Sequence, residues 1–214
     1  MKAAVQNDGK KAKSHVINVA RHLFATRGFH QTSMAELAEE AHISVGAIYR
    51  SFKGKADIIQ AIVEEDAHGR LDYLMLLNAQ VKDGTVSIDM ALNQLTLRAL
   101  SDDEKALSFE ILAEAYRNGE VADTIAAKCV HYRALFRDLA CAVNPQLTAT
   151  ELDAAEELLL ACLFGLGHRT LSNPHLGTAE TADYTARMIH HALNALHPPA
   201  AERALQGAGG AAGR

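Results

Sequence analysis

The sequence has no tryptophan, only 5% aromatic residues, four prolines and three cysteines in 214 residues. The prolines and most glycines gather at the ends of segments, not at the short regular spacing of an all-β protein, which argues against that class. Cys129, Cys141 and Cys162 are an odd number at wide intervals, and no CxxC pair occurs. Neither a zinc ribbon nor a disulfide framework fits that pattern; reduced, buried thiols are the expected reading. Long apolar runs are lacking too. The longest, LLLACLFGLG from Leu158, spans ten residues, where a membrane helix needs about twenty. The opening MKAAVQNDGKKAKSHV has no apolar stretch of the secretory kind. A cytoplasmic location is therefore expected. The eleven histidines include no HxxxH or HExxH pair, so no metal site is expected.

What is present points to helix. Hydrophobic residues make up 49% and charged residues 22%, an ordinary globular balance. Ala, Leu, Glu and Arg dominate the long segments, and these are strong helix formers. The net charge of −5 hides an asymmetry: residues 1–60 carry +4 and residues 61–214 carry −9. A small basic module on a larger acidic body accounts for that division.

Residues 1–9 read as a flexible N-terminus. From Lys10 to Arg27, Val16, Ala20, Leu23 and Phe24 fall on one helical face, and Gly28 stands where a helix C-cap wants positive φ. Ser33-Met-Ala-Glu36 is a capping box opening a short helix with Leu37, Ala38 and Ala41 on one side. Ser44 is a second N-cap candidate, and its helix carries Ile48 and Phe52 inward. Two short helices joined by AHIS make a helix-turn-helix pattern, about residues 33–52. A long helix is expected from Lys55 to Lys82. Ser101 to Glu104 and Thr148 to Glu151 are further capping boxes, opening helices to about Gly119 and about Leu171. Between them a helix is expected from Glu120 to Val143, and a last one from Ala179 to Leu196. The expected fold is all-α with about nine helices: a helix-turn-helix domain at 10–56, a larger helical domain at 57–197, and a disordered tail at 198–214.

The chemistry lies in the stretch ISVGAIYRSFKGK, Ile43 to Lys55. Small side chains at Ser44, Val45, Gly46 and Ala47 let a helix backbone come close to a major groove. Free N–H groups at a helix start suit a phosphate. Tyr49 and Ser51 offer hydroxyls, Arg50 suits a guanine edge or a phosphate, and Lys55 is a candidate phosphate clamp. Thr32 and Ser33 join this set at the preceding helix start, and Lys10, Lys11 and Lys13 are candidates for the flanking backbone.

The segment from Val16 to Ile62, with LFATRGF, TSMAELAEEAHIS and GAIYRSF followed by a Lys that opens the next helix, resembles the N-terminal domain of the TetR family of transcriptional regulators. His42 stands where that family usually has glycine, and no acidic residue directly follows Lys55. The resemblance implies a homodimer whose N-terminal helices bind double-stranded operator DNA. It also implies a C-terminal domain that binds a small-molecule effector. The function expected is that of a transcriptional repressor released from a pseudo-palindromic operator by its effector. The alternative is a sequence-specific DNA-binding protein without an effector, acting in chromosome organisation or under a protein partner. By the family pattern the last two long helices pair in the dimer, with Leu159, Leu163, Leu166, Tyr184, Met188 and Leu193 at the interface. Tyr73, Leu77, Phe109, Leu112, Tyr116, His131, Tyr132 and Phe136 have the mixed apolar and polar character of an effector pocket. Gly165 and Gly167 read as close helix packing. Glu110, Glu114 and Arg117 read as an exposed ion-pair face. No catalytic constellation emerges, and neither an enzyme nor a cofactor is expected.

Overall fold

The computed structural model describes residues 2–101 and 105–196. Its helices are α1 (Lys2–Arg27), α2 (Met34–Glu40), α3 (Val45–Tyr49), α4 (Lys55–Lys82), α5 (Ile88–Leu100), α6 (Lys105–Ala115), α7 (Gly119–Val143), α8 (Ala149–Gly167) and α9 (Thr178–Ala195). A 3-10 turn, Arg169–Ser172, follows α8. There is no strand among the described residues, and the all-α expectation holds.

The helix ends follow local chemistry. Ser33 accepts a hydrogen bond from the Glu36 N–H, and the Glu36 carboxylate returns one from the Ser33 N–H at 2.7 Å. Thr148 and Glu151 close the same reciprocal cap on α8. Gly28 ends α1 at φ 88°, a conformation that a Cβ makes costly. The expectations at 1–9 and at α8 need correction. The α1 helix begins at Lys2, not Lys10; the added turns include Lys2, Ala3, Ala4 and Gln6, good helix formers, and Gly9 costs a helix only about 1 kcal/mol. The α8 helix ends at Gly167, because His168 leaves helical geometry and the chain tightens to a 3-10 turn. The capping box expected at Ser101 involves residues 102–104, which lie outside the described residues, as does the tail 198–214. Ser101 itself closes α5, its N–H bonded to the Leu97 and Arg98 carbonyls.

The chain divides into two compact units, Met1–Leu71 with Asp103–Val130, and Asp72–Asp102 with His131–Arg214. In the first, Val16, Ile17, Leu23 and Phe24 of α1 pack with Leu37 of α2, Ile48 of α3 and Ile58, Ile59 and Ile62 of α4. Leu107, Ile111 and Val121 join the same core, so α6 and the start of α7 belong to the unit that holds the helix-turn-helix. Arg21 ties α1 to α4 through Asp66 at 2.5 Å.

In the second unit α5 is the central element. Leu92 and Leu95 pack with Leu139 of α7, Leu152 and Leu159 of α8, and Ile189 and Leu193 of α9. The buried Thr96 hydroxyl lies 3.1 Å from the Ala182 carbonyl. Asn144 donates to the Leu193 carbonyl at 3.2 Å and accepts from the Gln146 N–H at 3.1 Å. Gly167 meets the Ala99 carbonyl closely enough that an added Cβ would lie 3.4 Å from it. Gly165 faces open space, so the close-packing expectation holds for one glycine of the two. No disulfide joins the three cysteines; Cys141 is exposed, against the expectation of buried thiols, while Cys129 and Cys162 are half-buried. Burial pushes the Cys162 thiol pKa up.

Candidate nucleic-acid interface

The turn between α2 and α3 is tight. The His42 N–H bonds to the Glu39 carbonyl and the Ile43 N–H to the Ala38 carbonyl, both at 3.0 Å. His42 adopts φ 53°, the left-handed region expected where the family has glycine and uncommon for a side-chain-bearing residue. Ser44 then caps α3, accepting from the Ala47 N–H at 3.2 Å. The N–H groups of Val45 and Gly46, at the very start of α3, have no partner among the described residues. Such groups favour an anion.

One face of α3 anchors and the other is bare. Ile48 is fully buried, and Phe52 just beyond the helix is buried with it. Ser44, Val45, Gly46, Arg50 and Ser51 are exposed, and Ala47 is half-buried. Tyr49 is 53% exposed. No side chain or backbone atom lies within 4 Å of where a Cβ on Gly46 would stand. Lys11 and Lys13 are exposed on α1, with the Lys13 ammonium 5.4 Å from the Phe52 ring centre. Ser33 is exposed, its oxygen engaged as the α2 cap.

Two of the expected DNA contacts have side chains engaged within the protein. Thr32 is buried, and its hydroxyl donates to the Gly28 carbonyl at 2.9 Å, so it braces the α1–α2 turn. The Lys55 ammonium donates to the Phe29 carbonyl at 2.5 Å and lies over the Phe29 ring at 4.6 Å. Burial lowers its pKa, opposed by the charges of Glu114 and Glu36. In this arrangement Lys55 clamps a backbone turn. Sequence reasoning missed this because the three-residue stretch Gly28–His30 offers no sign of which ammonium its carbonyls will attract.

The other expected sets are split by burial. Leu159 and Leu193 face the core of their own unit, and Leu163 packs against it. Tyr184 and Met188 lie outside it, Met188 at 71% exposure. The apolar residues of α9 thus form two stripes: Ala186, Ile189 and Leu193 inward, Tyr184 and Met188 outward. Leu158 and Phe164, absent from the expected set, are exposed on α8, while Leu166 is half-buried.

Of the expected effector-pocket residues, Leu77 and Phe136 are buried in the second core, with Tyr73 and Tyr132 packed against it. The Arg98 guanidinium stacks 4.8 Å above Tyr73, and burial raises the tyrosine pKa. Phe109, Leu112 and Tyr116 belong to the first unit. Phe109 is exposed and Leu112 half-buried. Tyr116 is 93% exposed, a correction to its placement in a pocket: α6 ends at Ala115, and the residue after it turns outward. His131 is exposed on α7.

A short anchored helix with a bare edge, following a capped helix and a tight turn, defines the helix-turn-helix class. Residues 16–62 match the family model described as bacterial regulatory proteins, tetR family. The HTH-type transcriptional regulator UidR of Escherichia coli strain K12 is 29% identical over 119 residues, covering 55% of this chain and 59% of UidR. Among solved structures, Salmonella enterica GusR superposes with a TM-score of 0.68 at 26% identity, over 87% of this chain and 95% of GusR. The regulator FadR from Bacillus subtilis, solved in complex with stearoyl-CoA, shares the fold with a TM-score of 0.65 at 15% identity, over 82% of this chain and 95% of FadR. Residues 16–62 thus resemble the DNA-binding segment of tetR-family regulators, and the alignment spans about three-fifths of UidR's length.

Proposed function

We propose that the protein is a dimeric transcriptional repressor that inserts α3 into the major groove of an operator half-site. The observation that carries this reading is the two-sided α3: Ile48 entirely buried, and Ser44, Val45, Gly46, Tyr49 and Arg50 presented to solvent. Val45 and Ala47 offer methyl groups suited to the thymine C5-methyl, and Arg50 suits a guanine edge or a phosphate. Ser33, Ser51 and Tyr49 hydroxyls suit phosphate oxygens, which set position more than sequence.

A second copy of the chain supplies the second reading head. The exposed Tyr184 and Met188 of α9 and Leu158 and Phe164 of α8 support a pairing surface on those helices, since large exposed apolar side chains in numbers mark interaction sites. Two heads related by a twofold axis read a pseudo-palindrome with half-sites one or more helical turns apart.

A small effector bound to the helical body releases the operator. Fold similarity to FadR supports a body able to hold a ligand, and Tyr73, Leu77, Tyr132 and Phe136, around the second core, are the candidate lining. Selection of bound duplexes from a random pool tests the reading. An inverted repeat with fixed spacing is expected; enrichment of no sequence refutes it.

A further inference from the structure

The Glu114 carboxylate is the least explained group in the first unit. It is 7% exposed, and its Oε2 atom accepts no hydrogen bond among the described residues. A buried carboxylate oxygen without a donor is costly. Glu114 is therefore no part of an exposed ion-pair face, the expectation for Glu110, Glu114 and Arg117.

One imidazole nitrogen stands beside that oxygen. His30 Nε2, in the turn between α1 and α2, lies 3.4 Å from Glu114 Oε2 and 3.3 Å from Arg117 Nη1. The Arg117 contact needs a bare Nε2, which only the neutral ring offers, whereas a doubly protonated ring can only donate there. A neutral ring with a bare Nε2 accepts from the guanidinium. A ring protonated on both nitrogens donates to the carboxylate and is repelled by the guanidinium.

The other charges facing the turn are fixed. Glu110, one helical turn before Glu114, accepts the Phe29 N–H at 2.8 Å. Lys55 of α4 donates to the Phe29 carbonyl and lies 3.4 Å from that of His30. Arg27 of α1 and Glu36 of α2 pair with each other at 3.6 Å. Asn118 Nδ2 approaches Glu114 Oε1 at 3.4 Å, leaving Oε2 open. The His30 side chain is 61% exposed, so protons reach it from water.

We propose that His30 is a proton-operated latch between the α1–α2 turn and α6. Deprotonated, Nε2 takes the hydrogen bond of Arg117. Protonated, it gives one to the waiting oxygen of Glu114 and draws the turn onto α6. The latch sits directly ahead of α2 and stiffens the entry to the helix-turn-helix as pH falls.

The test is an NMR titration of the full-length protein between about pH 5.5 and 8, following the His30 ring and the Phe29 amide in the wild type, Glu114→Gln and Arg117→Ala. The Phe29 amide is expected to move with the His30 ring. Glu114→Gln weakens proton binding at His30 roughly two- to fivefold, the scale of a partly exposed ion pair, and Arg117→Ala tightens it. An unchanged His30 midpoint in both variants, or a Phe29 amide indifferent to pH, overturns the latch. If Glu114→Gln does not fold, His30→Gln takes its place, and the pH response of Phe29 must vanish. This readout needs no DNA and stands apart from the operator reading. The regulatory consequence rests on that reading: the ratio of operator affinities at low and high pH differs at least twofold between wild type and His30→Gln. Equal ratios refute the consequence while leaving the latch to the titration.

Discussion

Alanine substitutions at the consecutive residues Ile48, Tyr49 and Arg50 separate folding from recognition. The Ile48 side chain is wholly buried among α1, α2 and α4 side chains. Truncating it removes apolar contact and leaves a cavity in a close-packed site, a loss of about 2–5 kcal/mol. Small domains hold about 5–15 kcal/mol in total, so Ile48→Ala forfeits a large share and moves the urea midpoint strongly. Tyr49 and Arg50 are exposed, and surface truncations usually stay within about 0.5 kcal/mol. Operator binding should show the reverse order among folded variants. If Arg50 reaches a base edge, Arg50→Ala costs about 1–3 kcal/mol and relaxes preference at one base pair. If it reaches a phosphate, binding weakens on every sequence and the slope of log K against log salt shrinks by about 0.9. Urea unfolding gives the stabilities, and fluorescence anisotropy across a salt series gives the affinities. Tyr49→Ala as destabilising as Ile48→Ala, or Arg50→Ala binding like the wild type, refutes the two-sided reading of α3.

Three further outcomes are expected. Tyr184→Glu with Met188→Glu places two carboxylates on the exposed side of α9 and should halve the mass seen by light scattering, while Leu193→Ala, an inward residue, lowers stability first; an unchanged mass in the double variant removes α9 from the interface. Asn144→Ala strips the Leu193 carbonyl and the Gln146 N–H of their partners and should cost about 1–3 kcal/mol in chemical denaturation, a loss near zero meaning that water replaces both bonds. The Ser33 backbone and side-chain hydrogen bonds hold the Glu36 pKa below the usual carboxylate value. The folded state therefore binds that proton less tightly than the unfolded chain, so the cap contributes fully above the ordinary glutamate range and fades as pH falls through the depressed folded value. Glu36→Gln should flatten the acid limb of stability against pH, and an acid limb identical to wild type rules out this contribution.

Short-range chemistry was the legible part of the sequence. Ser33 with Glu36, Thr148 with Glu151, Ser44 as a cap and Gly28 at positive φ all act within four residues, and such rules need no knowledge of the fold. The inward face of the first unit was legible for the same reason, because Val16, Ala20, Leu23 and Phe24 follow helical period. Direction in the second unit was not. The residues Tyr184, Met188, Ile189 and Leu193 make one apolar set in sequence, yet only Ile189 and Leu193 join the core around Leu92 and Leu95 of α5, a helix that no motif in the sequence delimits.

Long-range electrostatics was the other illegible layer, and it changes what four residues are for. In sequence Lys55 is a cation opening a helix, Glu110 and Glu114 are carboxylates one turn apart, and His30 is one histidine of eleven. Folding brings the first three to the backbone turn Gly28–His30 that holds the fourth, Lys55 from 25 residues away and Glu110 from 81. A turn of that kind exposes carbonyls and N–H groups that need partners, and local side chains meet only part of the need, through Thr32. The ammonium and one carboxylate from distant helices complete it, which leaves Lys55 engaged within the protein and Glu110 bound to the Phe29 N–H. Only Glu114 is left over, and a leftover buried oxygen beside an accessible imidazole is the arrangement in which one proton decides between two hydrogen-bond patterns.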